Sequence, residues 1–163
     1  MNSYEITEYK RKIMKALINS QRIVSLIDYA KESEDPADLL YQCIFPYNRI
    51  PETEQEERVY ICVMVDIPTA YVKNEIARNV TIRFRVYAHE RLMKVIGESG
   101  DRIDLLAAEI DELFNEKLDF GFGPLSINSC TEHVYDSRHF YREIIFKTIA
   151  LNSKRNGVSQ WEQ

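Results

Sequence analysis

Ile6, Tyr9, Ile13 and Leu17 fall three and four residues apart, Met14 and Ile18 widen the stripe, and Glu5, Glu8, Lys12 and Lys15 occupy the opposite side. That period predicts a helix over Ser3–Leu17. Asn19 and Ser20 interrupt it. The next stretch, QRIVSLIDYA, carries Ile23, Val24 and Ile27 on one face, and reads either as a second short helix capped by Ser20 or as an extension of the first.

From residue 31 to 57 the periodicity lapses. Pro36, Pro46 and Pro51 punctuate a polar stretch with one possible helical turn at 36–41, so a long surface excursion is expected, pinned by Leu39, Leu40, Ile44 and Phe45. Arg58–Ile67 is then apolar at both alternating sets of positions, as in a strand covered on both faces or lying at a subunit contact. Val80–Tyr87 alternates cleanly, with Val80, Ile82, Phe84 and Val86 opposite Thr81, Arg83, Arg85 and Tyr87. The connection 68–79 is far longer than a hairpin needs and is read as an arm.

After Gly97 and Gly100, Asp101 is placed to cap a helix bearing Ile103, Leu106, Ile110, Leu113 and Phe114, with Asp104 favourable at its positive end. DFGFGPL breaks the pattern, with Gly121 and Gly123 read as positive-φ turn residues. Two strand candidates follow, Leu125–Val134 and Phe140–Leu151, joined by the turn YDSRH. The expected class is α+β: one or two helices, then ββαββ, with a mainly antiparallel sheet and the helices packed on one face. A single domain over 1–151 with a flexible tail at 152–163 suits the 163-residue length.

Composition narrows the functions. The chain carries a formal charge of −5, which opposes non-specific phosphate binding. The acidity is concentrated: Glu32, Glu34, Asp35, Asp38, Glu52, Glu54, Glu56 and Glu57 face only Lys31 and Arg49 within 31–57. Cys43, Cys62 and Cys130 form no C-x-x-C pair, so neither a disulfide framework nor a zinc ribbon is indicated, and Cys62 and Cys130 read as buried strand residues. The apolar run Val59–Val65 is too short to span a bilayer, and no signal-peptide pattern opens the chain.

Four patterns in the sequence bear on chemistry. GFG is the one close glycine pair, leaves a helix instead of opening one, and lacks the Lys-Ser/Thr of a phosphate loop. His133, Asp136 and His139 form the best available metal set, although turn polarity explains them equally, and His89 reads as an exposed loop-end residue. Asp66, Glu143 and Lys147 are the nearest approach to a metal-dependent nuclease, with Glu143 and Lys147 sharing a strand face. Arg83 and Arg85 form a basic strip with Thr81 and Tyr87, suited to bases or to an acidic partner. A neighbouring copy's 31–57 stretch is a complementary target, and head-to-tail contact of that kind generates rings. A monomeric adaptor that binds a basic partner through 31–57 is the other binding reading.

The ordered set RKIMKALINSQRIVSLI, IFPYNRIPET, RVYICVMVDIP, VTIRFRVYAHERLM, DRIDLLAAEIDELF and YREIIFKTIAL resembles the tail terminator and head-to-tail joining proteins of long-tailed bacteriophages, over about Ile6 to Leu151. The resemblance implies a non-enzymatic structural subunit in the neck or tail end of a virion, assembled in the host cytoplasm. It implies a ring, usually hexameric, that contacts the tail tube protein and the head–tail connector while genomic DNA passes through the lumen without specific binding. It implies no cofactor, no metal, no catalytic residue and no membrane. The arm 68–79 matches the position of inter-subunit loops, so Tyr71, Lys73, Glu75 and Arg78 join Arg83, Arg85, Glu54 and Glu56 as expected assembly contacts. The acidic excursion has no counterpart in the family pattern, which leaves a terminator ring and a neighbouring connector ring both open.

Overall fold

The computed structural model describes residues 3–28, 31–68, 77–121 and 123–151, with Ser3 and Tyr4 described by their backbone alone. Helix α1 spans Ser3–Asn19 and α2 spans Gln21–Ile27. They are separate because Ser20 leaves the helical region and its hydroxyl accepts the Ile23 N–H. Helix α3 spans Arg102–Phe114. The strands are β1 (Ile44–Phe45), β2 (Val59–Asp66), β3 (Ala77–His89), β4 (Ser126–Val134) and β5 (His139–Leu151).

They form one sheet in the order β1-β2-β3-β5-β4. The β1–β2 pair is parallel and the others are antiparallel, so the chain is an α+β protein with a mostly antiparallel sheet. The alternation read in β3 holds: Val80, Ile82, Phe84 and Val86 are fully buried. They meet Ile13 and Leu17 of α1, Ile23 of α2, and Ile103, Leu106 and Ile110 of α3 in one continuous core, so all three helices lie on one face of the sheet. That segregation follows from the periods, since a helical stripe and one set of alternate strand positions must bury each other.

Two local expectations need correction. Asp101 does stand before α3, yet its side chain makes no capping bond. Asp104 does lie in the first turn of α3, as expected, and it also acts as a tether, accepting from Arg142 of β5 at 2.6–2.7 Å. Gly121 has no positive φ; that conformation falls at Gly97 among the described glycines. What Gly121 supplies is close approach, because a Cβ there would stand 2.7 Å from the Ile149 carbonyl oxygen and 2.9 Å from the Thr148 hydroxyl. Gly121→Ala is therefore expected to push the chain at Gly121 off β5, lowering stability by about 2 kcal/mol through overpacking against backbone, as read from a urea melt.

The excursion 31–57 is also more ordered than its composition predicts. Asp35 caps a 3-10 turn at Pro36–Leu39, Leu39 is buried, and Ile44–Phe45 pairs with β2 as the edge strand. The arm is shorter at its far end, because β3 begins at Ala77 and already includes Arg78 and Asn79. Residues 69–76 and 152–163, including Tyr71, Lys73, Glu75 and the expected flexible tail, lie outside the described residues.

Candidate functional site

The face of the sheet turned away from the helices carries the remaining chemistry. Strand register aligns Tyr60, Tyr87, Tyr141 and His133 in a row across β2, β3, β5 and β4. The Tyr87 and Tyr141 rings lie 4.8 Å apart, and His133 stacks on Tyr141 at 4.9 Å. Cross-strand neighbours at such separations reinforce one another, so the row is a stabilising element of this face.

Half of this surface is covered by the chain itself. After β1, the segment 46–57 folds back as a strap over Phe45, Tyr60, Cys62 and Tyr87, which form a small second core. Arg49 lays its guanidinium over the Tyr60 ring at 4.4 Å and pairs with Glu56 at 3.0 Å. The backbone N–H of Arg49 donates to Cys62 Sγ at 3.3 Å, and the thiol donates to the Arg49 carbonyl at 3.2 Å. Burial pushes the Cys62 thiol up to about 11, so it is an apolar filler held under the strap. Tyr87 donates its hydroxyl to Asn48 at 3.3 Å and is pushed up to about 12, again chiefly by burial. The doubly apolar pattern of Arg58–Ile67 is thus satisfied at one end within a single chain, by helices on one face and the strap on the other.

The other half is open. Arg85 donates to Glu143 at 2.6 Å, Arg83 stands 3.7 Å from the same carboxylate, and Arg85 also lies over Tyr141 at 5.3 Å. Two guanidinium groups on one carboxylate leave a net positive strip, extended by the exposed Lys147 and flanked by Ile145 and Ile149. Arg78 is half-buried at the start of β3, paired in register with Ala150.

The remaining expected site residues separate. Glu143 is committed to the arginines, whereas Asp66 and Lys147 lie on a different cross-strand row through Thr81. His133 bonds Thr131 and stacks on Tyr141, while His139 turns to Asp136, so the three do not share a ligand point. Among the described residues no group of three metal-ligating side chains is assembled. His89 is not an exposed loop-end residue; it is fully buried beside His139. Cys130 is exposed on β4 and not buried as expected. Glu54 accepts from Ser137 at 2.8 Å, and Glu56 accepts from Arg49 and from the Glu52 N–H, so both are engaged within the chain. Within 31–57, Glu32, Glu34, Asp35 and Asp38 are exposed and make no ion pair among the described residues.

The cross-strand aromatic row, with Tyr141 in it, is the part that sequence reasoning missed. Each member sits on a different strand, and only the alternation within β3, which singled out Tyr87, offered a signal. No helix among the described residues is long and apolar enough to cross a membrane.

A sequence profile of the YomW family matches residues 20–148. No curated protein matches the chain. One solved structure is similar over 90% of this chain and 98% of its own, at 16% identity and a TM-score of 0.39, a likeness too loose to carry an argument.

Proposed function

The chain belongs to the YomW family and is thereby a phage-associated protein, and from that premise we propose that it is a structural subunit of the virion neck or tail end, forming a ring that terminates the tail tube and joins it to the head connector. The observation that carries this reading is the open half of the second sheet face. It presents Tyr141, Arg83, Arg85 and Lys147 on adjacent strands at strand spacing, an arrangement that suits contact with another subunit.

The complementary surface is at the other end of the subunit's charge distribution. Glu32, Glu34, Asp35 and Asp38 are exposed and free of ion pairs among the described residues, so they suit a basic neighbour better than the engaged Glu54 and Glu56 do. A basic face meeting an acidic segment of the next copy is a heterologous contact, and heterologous contacts close into rings when the rotation allows. In this reading the role is geometric and not catalytic, with no cofactor or metal; the partners are further copies, hexameric as the resemblance implies, the tail tube protein and the head–tail connector protein. Genomic DNA passes through the lumen unheld, in keeping with the net acidity.

Negative-stain electron microscopy of the purified protein, alone at high concentration and mixed with tail tubes, tests this. Closed rings or capped tube ends are expected. Arg83→Glu should abolish both while leaving the circular dichroism spectrum unchanged, since Arg83 is the weaker of the two partners of Glu143. Featureless small particles under both conditions would overturn the proposal, and rings that bind connectors but never tubes would move the subunit to the connector side of the joint.

A further inference from the structure

Helix α1 turns Ile13 and Leu17 into the core and presents a different surface on each flank. On one flank a groove of about 550 Å³ opens between α1 and the turn that leads into β1. Met14, Ile18, Leu40 and Pro46 give it apolar walls. Lys10, Arg11 and Lys15 also line it, and no carboxylate does. Lys10 donates to the Pro46 carbonyl at 2.6 Å, Arg11 pairs with Glu8 at 3.0 Å, and Lys15 is exposed with no ion pair among the described residues. Tyr41, a further lining residue, is 61% exposed; its backbone stands in the left-handed region at φ 62°, held by its N–H on the Ile44 carbonyl at 2.8 Å.

The opposite flank of α1 carries a projection. Tyr9 meets the buried Phe120 edge-on at 5.7 Å, and Lys12 donates to the Asp119 carbonyl at 3.3 Å, so residues 119–120 are seated against the helix. The turn before them is fixed from the other side. The Glu116 N–H donates to the Leu125 carbonyl at 2.7 Å, and the Leu125 N–H donates to the Lys117 carbonyl at 2.8 Å. Glu116 is again a left-handed residue, at φ 62°. Such conformations cost energy in a residue with a side chain and persist where the surroundings impose them. Between these anchors Leu118 is left 69% exposed. Glu112, Glu116 and Asp119 are exposed carboxylates with no ion pair among the described residues, and they outnumber the cations Lys117 and Lys12 beside them.

We infer that Leu118 of one copy seats in the α1 groove of the next, an apolar knob among carboxylates entering an apolar groove among cations. The inference rests on the ring reading for the presence of neighbouring copies and adds which surfaces meet. Knob and groove lie on opposite flanks of one helix, so the contact joins unlike surfaces and propagates head to tail, as a ring requires. Both are held by backbone hydrogen bonds before contact, which lowers the ordering cost of association. Burial of Leu118 supplies the apolar gain, and the flanking charges set the orientation. Ile96 is barer still, at 97% exposed, but it stands between Lys94 and Glu98 and carries no net charge to match the groove. The contact is compatible with the basic strip meeting the acidic segment. Leu40 and Tyr41 follow directly on Asp35 and Asp38, while the chain beyond Leu118 packs through Gly121 on Thr148 and Ile149, next to Lys147.

Cross-linking between differently marked copies tests this. Leu118→Cys and Tyr41→Cys are each made in a Cys43→Ser, Cys130→Ser background that keeps the buried Cys62, and are treated with bismaleimidoethane at high protein concentration. A covalent dimer is expected in the mixture and in neither variant alone, because knob meets groove and neither meets itself. Adding Lys15→Glu to the Tyr41→Cys copy should cut the yield at least fivefold, whereas Lys94→Glu, a charge reversal away from the groove, should leave it unchanged. All these side chains are exposed, and an unchanged circular dichroism spectrum checks the fold. No dimer in the mixture, equal dimer in either variant alone, or a yield indifferent to Lys15→Glu would each overturn the inference. Rings seen by microscopy without the mixed dimer would strike this contact and leave the ring reading standing; the mixed dimer without rings would do the reverse.

Discussion

Replacing Phe84 with alanine is expected to lower the unfolding free energy by about 4 kcal/mol, the range for removing a large aromatic from a core that does not collapse around the cavity. Phe84 sits in the middle of the central strand β3, fully buried, stacked on Phe114 of α3 at 5.1 Å and edge-on to Phe146 of β5 at 5.9 Å. It therefore joins the two strands and the helix that make up the core's centre. The aromatic geometry adds about 1 kcal/mol to simple area burial, so Phe84→Leu should recover only part of the loss. A domain of this size has about 5–15 kcal/mol in total, and the variant should fold while melting far earlier. Urea denaturation with an unchanged slope and a lowered midpoint is the expected record; a loss under about 1 kcal/mol would mean that the core repacks around the gap.

The second large effect is expected at Arg102. This arginine is buried at the start of α3, donates to the Leu92 carbonyl at 2.6 Å, and also donates to the Leu26 carbonyl in the last turn of α2. Helix ends leave their last carbonyls without intrahelical partners, and a cation there also complements the helix dipole. Arg102 thus secures the end of α2 and the 90–93 turn from the first turn of α3. Arg102→Met keeps much of the apolar stem but leaves two buried carbonyls bare, for an expected loss of about 3 kcal/mol. At about 2–4 °C per kcal/mol for a chain of this length, the melting temperature should fall by roughly 6–12 °C. Arg102→Lys should recover less than half, because one ammonium lacks the planar fork that reaches two separate carbonyls. A melting temperature within 2 °C of the parent would show that water or a neighbouring donor replaces the guanidinium.

Both predictions concern the helix-covered face, and that face is where the sequence is most readable. The core stripe of α3 and the alternation of β3 are strong because helix and strand each repeat their buried positions at a constant local spacing. The second face resisted reading for the same reason in reverse. Tyr60, Tyr87, Tyr141 and His133 are neighbours only through strand register, and no short window of sequence contains two of them except the widely spaced pair on β4 and β5. Arg58–Ile67 did announce that something covers both its faces, but not that the cover is the acidic stretch just before it. The 31–57 excursion looked solvated because its carboxylates dominate the composition, whereas the contacts that fix it are made by the Glu54 and Glu56 backbone oxygens, to which residue type is blind.

The sequence by itself determined the α+β class, the positions of α1, α3 and four of the five strands, and the concentration of negative charge in one stretch, while leaving α2 open as a separate helix or an extension of α1, because periodicity and charge are local properties of the chain. Tertiary structure alone decided that β1 exists, that the strap closes over β2, and that His89 and His139 are a buried facing pair. Those outcomes depend on contacts between residues tens of positions apart, where the protein's shape, and not residue type, sets which groups meet.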